Sequence, residues 1–165
     1  MSNRLSGNQP LVSSLVDRLL DPEPDVRVEP AARTAQVLRE LKQSVRRDLE
    51  DLLNTRWRCL GWPESLARLD DSLLNYGIPD FTASDLDAAQ NPDILLRAIE
   101  SCIRRFEPRL KEVRLQALGS PDDGSREFRF RIDGVLCIEP LEDAVRYDSS
   151  LETSTGTVRI EGTGQ

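Results

Sequence analysis

The spacing of the apolar residues changes at Pro108 in this chain of 165 residues. Before this proline, apolar residues recur every three or four positions, which is typical of helices that pack on one face. After it, apolar and polar residues alternate, which is typical of antiparallel strands with one solvated face. Helices followed by strands predict an α+β fold, in which N-terminal helices pack on a small, mainly antiparallel C-terminal sheet. The length suits about one domain, long enough to bury a core.

The first thirty residues differ from the rest of the chain. Residues 11–20 carry apolar side chains at helical spacing, which predicts a short helix that ends before Pro22. The acidic, proline-rich residues 21–30 are typical of an extended linker. The sequence therefore predicts two parts: residues 1–30 with a short helix and a linker, and residues 31–165 as a single α+β domain.

Further helices are predicted between the linker and Pro108. Each is bounded by residues that commonly start or stop helices, such as an Asn cap, a proline in the first turn or a glycine after the last turn. The predicted helices run from Ala31 to about Asn54, from Pro63 to Gly77, and from Asn91-Pro92 to the break at Pro108.

Four strands are predicted after the helices. Residues 113–117 and 127–138 alternate in polarity and flank a GSPDDG turn, which predicts a hairpin. The third strand is expected at residues 144–147 and the fourth at residues 157–161. Residues 149–156 are expected to be a flexible segment, beside a strand edge with unpaired backbone groups.

The composition narrows the possible functions. The chain has no histidine, so a histidine dyad or triad is excluded, and we expect neither a metal nor a cofactor. Cys59, Cys102 and Cys137 lack CxxC spacing and are expected to be reduced and mostly buried, which fits a cytoplasmic protein. The net charge of -7 opposes nucleic-acid binding. No stretch approaches the roughly 18 apolar residues of a membrane helix, so we expect no membrane insertion.

Glu107 and Glu139 each precede a proline, and a pair of carboxylates is the set of groups that cleaves glycosides. Nothing in the sequence places the two within the required distance of roughly 5 to 10 Å. Aromatic residues make up only 5% of the chain, which is few for a sugar-binding groove. A peptidoglycan-cleaving, lysozyme-like glycosidase is therefore the alternative function, not the favoured one.

Two polar clusters at predicted helix ends are candidate partner-binding sites. Glu107, Pro108 and Arg109 form one cluster, and Asn54, Thr55 and Arg56 form the other. In the first, proline fixes the direction of two opposite charges, so that a partner could bind them at little ordering cost. The other interpretation is a local ion pair, worth roughly 0 to 1 kcal/mol if exposed. The sequence leaves both open.

Four stretches carry a family resemblance: SVRRDLEDLLNTR at residues 44–56, NYGIPDF at 75–81, FEPRL at 106–110 and CIEPLEDAVRYDSSLETSTGTVRI at 137–160. In this order they resemble the TssE family of type VI secretion baseplate subunits, which is related to the small baseplate wedge proteins of contractile-tailed phages. The resemblance covers roughly residues 11–160. Tyr147 stands where that family more often has phenylalanine.

The resemblance implies a structural, non-enzymatic baseplate subunit in the cytoplasm. It implies contacts with the wedge proteins TssF and TssG through Glu107, Pro108 and Arg109, with TssK as a further candidate. On its other side the subunit would contact the sheath subunits TssB and TssC, and an incoming sheath strand could pair with the C-terminal strand edge. A third possibility is an adaptor that binds its partner through the helix at residues 11–20.

Overall fold

The computed structural model describes residue 19 and residues 34–57, 63, 65–66, 69, 72–79, 92–119, 127–138 and 141–162. Within these ranges two long helices precede four strands. The elements are α1 (Thr34–Asn54), α2 (Pro92–Phe106), β1 (Leu110–Leu118), β2 (Glu127–Ile138), β3 (Leu141–Glu152) and β4 (Val158–Gly162). A short 3-10 helix, Leu73–Asn75, lies between α1 and α2 in the sequence. The expected α+β order is confirmed.

The four strands form one antiparallel sheet in the order β1-β2-β3-β4. α1 lies against β4 and α2 lies against β1, so each helix accompanies one edge of the sheet. The buried side chains of the helices and strands join in a single core. Its largest fully buried members include Leu49, Leu52, Leu53, Leu95, Ile99, Ile103, Phe130, Ile132 and Leu136.

The apolar stripes of both helices are those that the sequence predicts. In α1 the buried residues Leu41, Val45 and Leu49 are spaced by four, which keeps them on one face. In α2 the same spacing joins Leu95 and Ile99. Fully burying an aliphatic side chain of this size contributes about 1.5 to 3 kcal/mol, so these stripes hold the helices on the sheet.

The opposite face of the sheet is charged and solvated, as expected for an antiparallel sheet covered on one side. Arg131 lies opposite Asp148 across β2 and β3, and Asp133 lies opposite Arg146. Both pairs form ion pairs, at 2.7 Å and 2.8 Å. The alternation in β2 therefore separates a core face from a face of cross-strand charge pairs.

The helix predicted from Pro63 to Gly77 is wrong in the residues that the structure describes, which form 3-10 turns instead. The Ser72 hydroxyl donates to the Leu69 carbonyl at 2.7 Å and accepts from the Leu74 N–H at 3.3 Å. Such side-chain bonds compete with the helical ladder. Leu73 is also 83% exposed, so little burial favours a long helix here.

The third strand is longer than expected. β3 covers Leu141–Glu152 and so includes Ser149 and Ser150, although the sequence predicts a flexible segment there. Leu151 and Ser149 point inward and are buried. The strand continues because these side chains pack in the core, which the small polar residues of this stretch do not indicate. The second and fourth strands lie within one residue of their predicted positions.

Several expectations fall on residues outside the described ranges. These are the short helix at 11–20, apart from the exposed Leu19, the linker at 21–30, Cys59 and Glu139. Cys102 is buried and Cys137 is half-buried, and both are free cysteines. In the described part of the chain, no helix is both long and apolar enough to cross a membrane.

Candidate partner-binding site

Three residues form the turn between α2 and β1, and we call Glu107, Pro108 and Arg109 the EPR corner. Pro108 has no N–H and biases the preceding residue away from helical geometry, so α2 ends here. The Glu107 N–H donates the last helical bond, to the Ile103 carbonyl at 2.8 Å. The Leu110 N–H then donates to the Glu107 carbonyl at 3.1 Å and turns the chain into β1. Pro108 itself is exposed at the tip.

The carboxylate of Glu107 is bound inside the protein. Its side chain is only 6% exposed. Arg109 binds both carboxylate oxygens, because its Nε donates to Oε1 at 2.7 Å and its Nη2 donates to Oε2. The backbone N–H of Arg109 also donates to Oε1, at 3.2 Å. This is a bidentate, charge-assisted arrangement, which is the strongest kind of side-chain hydrogen bonding and fixes the direction of both groups.

Arg109 connects the EPR corner to α1. Its Nη2 donates to Asp48 Oδ2 at 2.6 Å, while 27% of the arginine side chain stays exposed. The hydrogen bonds with Glu107 raise the pKa of Arg109 above its ordinary value, and the bond with Asp48 adds to this against the opposing effect of burial. The arginine is therefore held by two carboxylates, and part of its side chain stays exposed.

Residues 75–79, the NYGIP loop, pack beside the EPR corner. The Tyr76 ring packs edge-on against Phe106, with ring centroids 5.3 Å apart. Gly77 has a φ of 105°, and a Cβ there would lie 2.2 Å from the Thr55 carbonyl oxygen. Cys102 Sγ donates to the Gly77 carbonyl at 3.0 Å, and burial raises the pKa of this thiol to about 11. Glycine is therefore needed for α1, α2 and this loop to meet.

The NTR cluster at the end of α1 holds the hairpin between β3 and β4. The Asn54 amide donates to the Val158 carbonyl at 2.8 Å and accepts from the Val158 N–H at 2.9 Å. Arg56 donates to the Gly156 carbonyl, and Thr55 bonds back to its own helix. All three side chains thus have partners within the chain. Their expected contact with another protein stays a prediction.

Tyr147 joins β3 to the helix beside the corner. Its hydroxyl donates to the Lys42 carbonyl at 3.1 Å, and the residue is 3% exposed. Burial raises the pKa of Tyr147 to about 12, and the nearby charge of Glu107 acts in the same direction. A phenylalanine at this position would keep the packing and lose the bond to α1.

Two expectations about these residues need correction. The EPR corner was expected to present two charges to a partner, but Glu107 is buried, because Arg109 and Asp48 form an ion-pair network with it. The surface of the corner consists of Pro108 and part of Arg109. Sequence reasoning also missed Asp48, which lies in the SVRRDLEDLLNTR stretch but is distant from Arg109 in sequence.

The expected unpaired edge at the C-terminal strand is likewise corrected. The outward backbone groups of Val158 are both bonded to Asn54. The Ile160 carbonyl accepts from Arg46 Nη1 at 2.9 Å. Side chains of α1 therefore cover the edge of β4.

The carboxylate of Glu107 is poorly placed to react with a substrate, because its side chain is only 6% exposed. Both oxygens already accept from the guanidinium of Arg109. The distance from Glu107 to Glu139 is undefined, because Glu139 lies outside the described residues. Across the described ranges, no group of three or more Asp, Glu or Cys side chains is placed to hold a metal ion.

Comparison with known proteins indicates the family. No curated protein matches the sequence. A chain of the solved structure "The baseplate complex from the type VI secretion system" matches with a TM-score of 0.45 and 17% identity, over 76% of this chain and 97% of that chain. The family model for baseplate wedge protein gp25 matches residues 39–141, which is more than half of the 165 residues. The chain therefore belongs to the baseplate wedge protein gp25 family.

Proposed function

We propose that this chain is a structural subunit of the baseplate of a type VI secretion apparatus, where it joins wedge proteins to the sheath. The family match over residues 39–141 carries this proposal. The matched segment contains most of α1, all of α2 and the EPR corner, which are the elements that the ion-pair network ties together. The subunit acts in the cytoplasm and catalyses no reaction.

The EPR corner is the contact with the wedge. Its exposed tip is Pro108, and 27% of the Arg109 side chain is accessible next to it. Glu107 and Asp48 hold the arginine in one direction, so a partner that binds it loses little conformational entropy. TssF and TssG are the proposed wedge partners, with TssK as a further candidate. Glu107 acts here as a positioning residue that a partner does not touch.

Asn54, Thr55 and Arg56 support this surface indirectly. Their bonds fix the β3–β4 hairpin and the NYGIP loop against the end of α1. Loss of these bonds would therefore loosen the frame behind the corner. The sheet is the proposed contact with the sheath subunits TssB and TssC. A strand of the partner would add to it by main-chain hydrogen bonds.

The test of the wedge contact is co-purification with co-expressed TssF and TssG. Pro108→Ala and Arg109→Lys keep the charge of the corner but change its exposed shape and its bidentate bonding. We expect both variants to fold, as measured by circular dichroism, and to lose most of the co-purifying wedge. Arg129→Lys is the matched control, since Arg129 also lies two residues after a glutamate and is 68% exposed. Retention by the corner variants equal to that of the control overturns the assignment.

The glycosidase alternative is tested separately by turnover of peptidoglycan by the purified chain. The carboxylate of Glu107 is buried and accepts hydrogen bonds from Arg109 at both oxygens. It gives no access to a glycosidic oxygen, so we expect no turnover. Activity that disappears in Glu107→Gln, with folding retained, would overturn the structural function in favour of the enzyme.

A further inference from the structure

A groove of about 450 Å³ lies between α1 and the strands β3 and β4. Val145 and Tyr147 of β3 are 4% and 3% exposed and form its apolar floor. This volume lies in the range of sites that enclose a small ligand, so the groove has room for a few residues of an extended segment. We call it the basic groove, and its lining residues are Arg39, Lys42, Gln43, Arg46, Val145, Tyr147 and Gly162.

Three cations of α1 line the basic groove, and its described lining residues include no carboxylate. Arg46 is held in place, because its Nη1 donates to the Ile160 carbonyl at 2.9 Å. A Cβ on Gly162 would lie 3.0 Å from Arg46 Cδ, so the glycine leaves room for the arginine beside β4. The backbone of Lys42 is fixed as well, since its carbonyl accepts from the Tyr147 hydroxyl. A ligand therefore meets cations that are already ordered, which lowers the entropy cost of binding.

Neighbouring carboxylates neutralise the basic groove only in part. Lys42 lies 2.9 Å from Asp143, and Arg46 lies 3.5 Å from Glu50. All four side chains are partly exposed, and such pairs contribute only about 0 to 1 kcal/mol each. Arg39 is an additional, exposed cation. The groove is thus a positive site on a chain with a net charge of -7, and it suits a segment that carries carboxylates.

We propose that the basic groove binds the acidic stretch at residues 21–30 of the same chain. This stretch lies outside the described ranges and directly precedes the helix that lines the groove. It has four acidic residues and one arginine, which is a charge opposite to that of the groove. Val26 and Val28 can contact the apolar floor. The acidic residues are Asp21, Glu23, Asp25 and Glu29.

The chain is long enough for this contact. An α-helix rises about 1.5 Å per residue, so Lys42 lies about 12 Å along α1 from Thr34. An extended chain spans about 3.3 Å per residue, so Glu29 reaches about 16 Å from Thr34 and Asp25 reaches about 30 Å. Both carboxylates therefore reach the cations when the chain reverses direction before the helix. The short tether also gives this stretch an effective concentration in the millimolar range, above that of a separate acidic protein.

Docking of residues 21–30 affects the stretch that precedes them. Residues 11–20 are predicted to form a short helix and are a candidate adaptor element. With the linker in the basic groove, they start beside α1 and meet a partner from that side of the domain. With the linker released, ten extended residues would let them move by about 33 Å. The groove thus determines where the N-terminal stretch can bind.

Zero-length crosslinking tests the contact, because the chain has two lysines, Lys42 in the groove and Lys111 on β1. A carbodiimide joins a lysine amine to a carboxylate that touches it, and mass spectrometry of peptides identifies the pair. We expect the full chain, at low salt, to couple Lys42 to Asp25 or Glu29. Lys111 is exposed and should couple to neither. Coupling of Lys42 to Asp143, at 2.9 Å, is the internal positive control.

Charge reversal distinguishes docking from random collision of a tethered segment. Arg39→Glu in the groove and Arg97→Glu on α2 make the same change of charge at exposed arginines. We expect Arg39→Glu to lower the yield of coupling between Lys42 and residues 21–29 about threefold, and Arg97→Glu to leave it unchanged. The yield of coupling between Lys42 and Asp143 should stay the same in both variants, which shows that the fold is intact.

Three results would overturn the docking of residues 21–30. The first is coupling of Lys42 to Asp143 without coupling to residues 21–29. The second is an equal yield for both lysines, or an equal decrease in both arginine variants. The third is coupling of Lys42, in the assembled apparatus, only to an acidic segment of another protein, which would then be the occupant. The first two results come from the isolated chain, so they leave the proposed baseplate function standing.

Discussion

Two of the pairs in which a glutamate precedes an arginine by two residues, Glu107–Arg109 and Glu127–Arg129, lie in different environments in the structure. Glu107 and Arg109 are 6% and 27% exposed, while Glu127 and Arg129 on β2 are 40% and 68% exposed. The shortest donor–acceptor distance that involves Nε is 2.7 Å in the first pair and 3.3 Å in the second. The same two residue types at the same spacing thus form a buried link in one region and a loose surface pair in the other.

The difference lies in the third group that each pair meets. In the EPR corner, Arg109 also binds Asp48 of α1, so that the pair joins two elements of the core. On β2, the third group is Ser150 of the neighbouring β3, which carries no charge. Its hydrogen bond and then that from Arg129 lower the pKa of Glu127, whose side chain is 40% exposed. The buried pair, which also binds a second carboxylate, links two elements of the core. An exposed pair contributes little to the free energy of unfolding.

The largest effect should come from Arg109→Ala, which leaves the buried Glu107 without its counter-charge. Breaking a buried ion pair costs about 3 to 5 kcal/mol. Since Arg109 is partly exposed, we expect the free energy of unfolding to fall by about 3 kcal/mol. Arg129→Ala should leave the free energy of unfolding nearly unchanged. Urea denaturation of both variants measures the contrast. Equal losses would remove the distinction between the two pairs.

Two glycines extend the comparison without altering any charge. Gly77 and Gly119 both have positive φ, at 105° and 95°, but only at Gly77 would a Cβ meet a backbone oxygen, whereas at Gly119 nothing lies within 4 Å. Gly77→Ala combines an unfavourable φ with a steric overlap, and we expect a loss of about 2 to 3 kcal/mol. Gly119 follows β1, whose last residue pairs with Arg129. Gly119→Ala should lower the free energy of unfolding clearly less than Gly77→Ala. Thermal unfolding of both variants decides, and similar costs would contradict the close approach at Thr55.

A smaller effect is expected from Tyr147→Phe, beside the EPR corner. The variant loses the hydrogen bond to the Lys42 carbonyl, which is worth about 1 kcal/mol at neutral pH. Because the pKa of Tyr147 is raised from 10.0 to about 12, its stabilising contribution is complete below pH 10 and is lost as the pH rises through 12. The deficit of the variant should therefore shrink between these pH values. A deficit that stays constant up to pH 12 would contradict a buried phenol.

The smallest effect should come from Glu127→Gln at the exposed pair. The pKa of Glu127 is lowered below its ordinary 4.5, so its carboxylate stabilises the fold above that pH, and the contribution is lost as the pH falls through the lowered pKa. The unaltered chain should be slightly more stable than Glu127→Gln at pH 6, and the difference should vanish in stronger acid. Urea denaturation at several pH values measures it. A difference as large as that of Arg109→Ala would show that exposure does not separate the pairs.

The elements that the sequence predicts well are those with local signals. The stripe of α1 through Leu41 and Leu49 and the alternation in β2 around Phe130 follow from spacing alone, because each is a pattern within one element. The helix predicted from Pro63 to Gly77 failed because apolar spacing was present without burial, as the exposed Leu73 demonstrates. Periodicity predicts a helix only where another element covers its apolar face.

The burial of the candidate site could not be predicted, because it depends on residues far apart in the sequence. The proline after Glu107 marks a helix end but does not predict burial of the carboxylate, since the deciding partner, Asp48, lies 61 residues before Arg109. The edge of β4 is closed by Asn54, which lies 104 residues before Val158. The motifs of the family resemblance include these residues, but their contacts with one another required the structure.

Photo-crosslinking from the EPR corner and from the Glu127–Arg129 pair, in cells that contain the whole apparatus, tests the wedge contact most directly. A photoreactive benzoylphenylalanine replaces either Pro108, at the exposed tip of the EPR corner, or Arg129, on the solvated face of β2. We expect crosslinks to TssF or TssG from position 108 and none from position 129. Crosslinks to these wedge proteins from position 129 alone, or from neither position, would contradict the wedge contact.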